Sequence, residues 1–133
     1  GQADIKREGE DATVVAIGPM VQKSLDAAVT LEDDGYDIEV VDPRSLSPLD
    51  VDTICTSVRK TGRAIVCGED STFAGAASEI AAMISESCFS DLKAPVRRIG
   101  SPHVPMPFSS ELVKHVVPEK SHVIDAVNQA MAA

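Results

Sequence analysis

The chain has 133 residues, 44% of them hydrophobic and 25% charged, which suits one globular domain with its own core and excludes a disordered or fibrous chain. Aromatic residues make up 3%, with no Trp, one Tyr and three Phe, too few to build a base-stacking platform. Twelve Lys and Arg against 21 Asp and Glu give a net charge of −9, so nucleic acid and anionic membranes are poor partners and a basic protein is a better one.

In chain order, residues 3–8 read as a short edge strand that turns at Gly9. Residues 13–17 (TVVAI) form the first continuous apolar, β-branched run, as expected of a strand covered on both faces. Val21, Leu25, Ala28 and Leu31 then follow the helical period, with Gly35 as the stop. Residues 38–41 (IEVV) are the next strand. Asp50 is placed to cap a helix carrying Val51, Ile54, Cys55 and Val58 on one stripe, and Gly62 ends it after Arg59 and Lys60, whose charges suit a helix C-terminus. Residues 64–67 (AIVC) are a further strand. Ala77, Ile80, Ala81, Ile84 and Cys88 mark a further helix, residues 96–99 (VRRI) the last strand, and Pro118 with Glu119 opens a terminal helix through Val123, Ile124, Val127 and Met131. Alternating strands and helices of this kind predict a mainly parallel sheet with helices on both faces.

An α/β sheet binds ligands beyond the carboxyl ends of its strands, so the chemistry is sought there. Ile17-Gly18-Pro19-Met20 has one glycine where a dinucleotide fingerprint needs three, and reads as a tight turn into a helix rather than a phosphate site. In Asp42-Pro43-Arg44-Ser45-Leu46-Ser47-Pro48-Leu49-Asp50, Arg44 is either a carboxylate clamp or, preferably, one half of an ion pair with Asp42 or Asp50 that fixes the loop. Glu69 and Asp70, beside Ser71 and Thr72, lack the second ligand cluster a divalent metal needs. His103, His115 and His122 match no zinc-helix spacing. His115 and His122 read as solvated, and His103, pinned in the proline-rich stretch 102–108 (PHVPMPF), reads as a contact group. No Gly-x-Ser-x-Gly elbow occurs.

Cys55, Cys67 and Cys88 are odd in number, far apart and without a Cys-x-x-Cys, which argues against a disulfide framework or zinc site and for a reducing, intracellular setting. No apolar run approaches the roughly 18 residues of a membrane span, and no signal peptide opens the chain. Gly1 in place of an initiator Met suggests a processed chain or a piece of a longer one.

Taken in order, DATVVAIGPMVQKSLDAA, DIEVVDPRSLSPLDVDTI, SVRKTGRAIVCGED, GAASEIAAMI and APVRRIGSPHVPMPFSSEL, followed by a terminal helix after Val117-Pro118, resemble the C-terminal domain of the beta subunit of thiamine diphosphate-dependent 2-oxo acid dehydrogenases. Pyruvate, branched-chain and acetoin dehydrogenases share that domain, and transketolase has a related one. The resemblance covers essentially all of residues 1–133, read as one domain of a longer subunit. It implies a three-layer α/β/α sandwich on a five-stranded, mostly parallel sheet with one antiparallel edge strand, residues 3–8. It also implies that this domain is catalytically inert alone, binding no cofactor and no metal, while thiamine diphosphate and Mg sit between the alpha subunit and the beta subunit's N-terminal domain. Expected partners are the alpha subunit, a second beta subunit and the basic subunit-binding domain of the dihydrolipoyl acyltransferase, in a cytoplasmic or organellar-matrix setting. The expected interface residues are His103, Pro105, Met106, Pro107, Phe108 and Arg44, with Met106 and Phe108 as apolar anchors.

Two departures from the family pattern stand out. Ala77 occupies the place of a second glycine in the helix entry Gly75-Ala76-Ala77-Ser78-Glu79-Ile80, and Gly68 stands where relatives often carry a carboxylate before Glu69. The proline segment looks more like the acetoin and some bacterial pyruvate branches than the branched-chain one. The alternatives left open are the related domain of a transketolase or deoxyxylulose-phosphate synthase, and a free-standing α/β module that binds a small anion at the Gly18 or Gly75 turn.

Overall fold

The computed structural model describes residues 1–102 and 117–133. The strands are β1 (Asp4–Arg7), β2 (Ala12–Ala16), β3 (Ile38–Asp42), β4 (Ala64–Ser71) and β5 (Arg97–Ser101). The helices are α1 (Met20–Asp33), α2 (Val51–Thr61), α3 (Ala76–Cys88) and α4 (Lys120–Ala132), with a short 3-10 turn at Phe89–Asp91. The strands form one sheet in the order β1-β3-β2-β4-β5. β2 pairs parallel with β3 and β4, and β4 pairs parallel with β5. β1 runs antiparallel to β3 at the edge, as expected.

Successive side chains of a strand point to opposite faces, and both faces here are buried. Val14 of β2, Val40 of β3 and Ile65 of β4 pack with α1 and α4 through Ala27, Leu31, Val123 and Val127. Their neighbours Val15, Val41 and Val66 pack on the other side with α2 and α3 through Ile54, Val58, Ile80 and Ile84. Double burial is why these strands read as unbroken apolar runs. The result is the three-layer α/β/α sandwich with a mostly parallel five-stranded sheet.

The helix punctuation follows the sequence. The Asp50 carboxylate accepts from the Thr53 amide at 3.1 Å to cap α2, and Gly62 closes that helix at φ 76°. Glu119 caps α4, with His122 completing a reciprocal capping box. Three details differ from expectation. Val51 opens α2 but stays 37% exposed, so the apolar stripe of that helix is buried only from Ile54 onward. Lys60 is not spent on the helix terminus. It reaches the Glu39 carboxylate instead. β4 extends through Gly68, Glu69, Asp70 and Ser71, a polar stretch read above as a turn, because a shift of register lets Ser71 pair with Ser101.

Candidate functional site

The loops after β2, β3 and β4 meet along one edge of the sheet, the end at which such folds bind ligands. Gly18 makes the tight turn between β2 and α1 at φ 59°. In the β3 to α2 loop, the Asp42 carboxylate accepts from the Arg44 amide at 2.9 Å, an Asx turn that holds Arg44 in the left-handed region at φ 62°. The side chain is thereby turned outward and exposed. Between these two loops lies a cleft of about 510 Å³ lined by Ile17, Gly18, Asp42, Pro43, Arg44, Ser45 and Leu46.

The expected ion pair of Arg44 with Asp42 or Asp50 does not form. Asp42 is taken by the Arg44 backbone, and Asp50 serves three donors: the Thr53 amide, the Thr53 hydroxyl and the Ala3 amide. Those hydrogen bonds, the Thr53 hydroxyl first, hold the Asp50 carboxyl below the usual carboxylate range. Among the described residues the Arg44 guanidinium has no hydrogen-bond or ion-pair partner; its charge reaches Asp4, whose carboxyl is held below the usual range first by Lys6 and least by Arg44, but no pair fixes the loop.

After β4, Glu69 lies 3.7 Å from Lys23 on α1, and its carbonyl accepts from the Ser101 hydroxyl at 2.6 Å. The Ser78 hydroxyl and the Arg98 guanidinium both donate to the Thr72 carbonyl, at 2.6 and 2.7 Å, which ties the loop to α3 and β5. A second cleft of about 380 Å³ separates β5 from α4, with Arg98, Ile99, His122, Asp125 and Gln129 among its walls. His122 is exposed, as expected, and its Nδ1 accepts from the Glu119 amide at 2.8 Å, so its lone pair serves the cap.

Among the described residues no three His, Cys, Asp or Glu converge as a metal site would require, and the donors at the strand ends do not fit a magnesium pyrophosphate. The cysteines are buried and unpaired. Burial pushes the Cys67 thiol up to about 11 against the pull of the Ser24 hydroxyl 3.3 Å away, and burial with the neighbouring Cys55 pushes Cys88 up to about 11. Neither is a thiolate nucleophile near neutral pH. His103, Pro105, Met106, Pro107, Phe108 and His115 lie outside the described residues.

The residues that the sequence did not reveal are at the opposite end. Glu39, 3% exposed on β3, accepts from the Gly9 amide and Lys60 through Oε1 and from the Ser57 hydroxyl through Oε2. Ser57 continues to Thr13 and Thr13 to Thr61, each at 2.8 Å, and Thr61 donates to the Arg63 carbonyl. The one available signal was a Glu inside an otherwise apolar strand, with a lysine at the end of the next helix.

The fold and the strand-end geometry define an α/β/α sandwich whose described polar groups hold loops and helix ends together. Residues 1–123 match the family model described as "Transketolase, C-terminal domain", and the chain belongs to that family. It is 45% identical over 124 residues to the acetoin:2,6-dichlorophenolindophenol oxidoreductase subunit beta of Bacillus subtilis, covering 93% of this chain and 36% of that protein. To the pyruvate dehydrogenase E1 component subunit beta of the same organism it is 50% identical over 109 residues, 82% of this chain and 34% of that one. The chain thus spans little more than a third of these curated relatives. Among solved structures, a split-gene transketolase described as an inactive beta4 tetramer superposes with a TM-score of 0.81 at 30% identity, over 98% of this chain and 41% of that one. No helix among the described residues is long and apolar enough to cross a membrane.

Proposed function

We propose that this chain is the C-terminal assembly and docking domain of the beta subunit of a thiamine diphosphate-dependent 2-oxo acid dehydrogenase of the pyruvate or acetoin type. The observation that carries the reading is the 45% identity to a dehydrogenase beta subunit across 93% of the chain. The split transketolase, at 30% identity, is the weaker match and makes the transketolase alternative second. In this reading the full-length enzyme decarboxylates a 2-oxo acid on thiamine diphosphate and Mg and acylates a lipoyl group. The cofactor is held by the alpha subunit and the beta subunit's other domain, because the donors described here do not fit it. The chain packs against the alpha subunit and a second beta subunit. It also helps to dock the acyltransferase's basic subunit-binding domain, in the cytoplasm of a bacterium or an organellar matrix. A net charge of −9 supports that last role by favouring a basic partner. The segment 103–108 is assigned to the contact surface on its composition alone.

Two experiments test this. Calorimetry with thiamine diphosphate and Mg, and turnover assays with pyruvate and other 2-oxo acids, are expected to give no signal for this chain alone and a full signal for the complete alpha and beta assembly. Turnover by the chain alone overturns the reading. Titrating the acyltransferase's subunit-binding domain against the complete assembly at low and high salt is expected to show weaker binding as salt rises, and salt-independent binding contradicts the charge argument.

A further inference from the structure

We propose that the loop between β3 and α2, with the mouth of the cleft beside it, is the surface on which the polypeptide preceding residue 1 packs in the full-length protein. The inference rests on the reading that this chain is the C-terminal part of a longer beta subunit.

The first support is the course of the chain. A Cβ added at Gly1 would lie 2.8 Å from the Ser45 Cβ and 3.8 Å from the Pro48 carbonyl, so residue 1 sits on this loop. The Ala3 amide donates to Asp50 at 2.9 Å, and Asp4 pairs with Asp42. Residues 1–4 are therefore laid along the loop, and whatever precedes them emerges onto it. The relatives extend far beyond the matched third of their length, so a body large enough to cover the loop is present in them.

The second support is what the loop displays. Leu46 is 49% exposed and Val51 37%, with Pro48 exposed between them, which puts three partly uncovered apolar side chains within six residues. Beside them stands Arg44, its backbone held at φ 62° by Asp42 and its guanidinium without an acceptor among the described residues. In a chain of −9, an exposed guanidinium with no hydrogen-bond or ion-pair acceptor among the described residues, next to an apolar patch, is complementary to a surface offering apolar side chains and a carboxylate. We assign that surface to the preceding polypeptide, with Arg44 forked onto its carboxylate and Leu46 as the anchor.

Amide hydrogen exchange compares this chain with the full-length beta subunit. Residues 44–47 are expected to exchange about tenfold more slowly in the full-length protein, while Phe89–Asp91, beside the C-terminal end of α2, exchange equally in both. Leu46→Asp and Arg44→Glu in the full-length subunit are expected to restore fast exchange and to speed protease cleavage ahead of residue 1. The same substitutions are expected to leave the thermal midpoint of the 133-residue chain unchanged, which separates lost docking from misfolding. Equal exchange in the two proteins, or slowing seen only after the alpha subunit is added, overturns the proposal. Decarboxylation by the assembled enzyme tests the functional reading separately, so either can fail alone.

Discussion

At the amino end of the sheet a buried carboxylate, three hydroxyls, a lysine and a backbone amide close on one another around Glu39. At the carboxyl end, the carboxylates of Asp42 and Asp50 accept from loop backbone and a helix start, and the cation beside them, Arg44, points into solvent. The same residue types are used in both places. What differs is closure: Glu39 is 3% exposed and its network satisfies itself, whereas the β3 to α2 loop leaves a guanidinium and three apolar side chains uncovered. A buried polar network that is fully satisfied rigidifies a fold, and an open one is available to something else. One end of this domain is finished by its own chain, and the other is complementary to a further surface.

Glu39→Ala gives the sharpest break. It strands the Gly9 amide inside the fold and leaves the Ser57 hydroxyl with Thr13 alone, while Lys60, 37% exposed, can turn to water. The expected loss is about 3 kcal/mol, at the lower end of the cost of breaking a buried pair. It is to be read from the urea midpoint. Glu39→Gln keeps the shape and is expected to cost less, so equal losses would show that packing rather than charge matters.

Two glycines extend the contrast. A Cβ at Gly9 would overlap the Ile38 and Glu39 backbone, and one at Gly75 would overlap the Ser71 carbonyl. Gly9→Ala is expected to cost about 2 kcal/mol, in the range of overpacking, because the buried network cannot shift. Gly75→Ala is expected to cost less, because the preceding Phe73 and Ala74 are exposed. The reverse order in denaturant melts would show that the carboxyl-end loop is the more rigid of the two.

The Glu39 carboxylate, through its hydrogen bond to Lys60, holds that lysine above the usual ammonium range. A raised folded value means stability that is fully present below the unfolded lysine value of about 10.4 and lost as pH rises through the folded one. The stability gap between wild type and Lys60→Met is expected to be constant from neutral pH upward and to close in the alkaline range. A gap that closes near neutral pH would show that the pair is not ionic.

The legibility of the molecule follows the same division. The sandwich was readable because Val14, Val15, Ile65 and Val66 are buried on both faces and leave no polar interruption, and because Asp50 and Gly62 bound α2 in plain sight. The polar end of β4 was not, since Glu69 to Ser71 are held by register with β5 rather than by apolar burial. Glu39 was hidden because its partners Gly9, Ser57 and Lys60 come from three other segments. No local spacing announces a contact among them. The ion pair expected of Arg44 was misread: the nearby aspartates suggested partners, but each was already engaged by backbone amides.

That misassignment yields the smallest effect and a discriminating one. In this chain Arg44→Ala removes an exposed side chain with no partner among the described residues, so the stability change is expected to stay within about 0.5 kcal/mol. Had the guanidinium been fixing the loop, the substitution would release Asp50 and loosen the start of α2. It would then shift the melt together with the far-ultraviolet signal of helix. If the side chain instead serves a surface that the rest of the protein supplies, the same substitution is silent here and weakens domain docking in the full-length subunit. A substitution that is neutral in one context and damaging in the other separates a residue that holds its own fold from one that holds a neighbour.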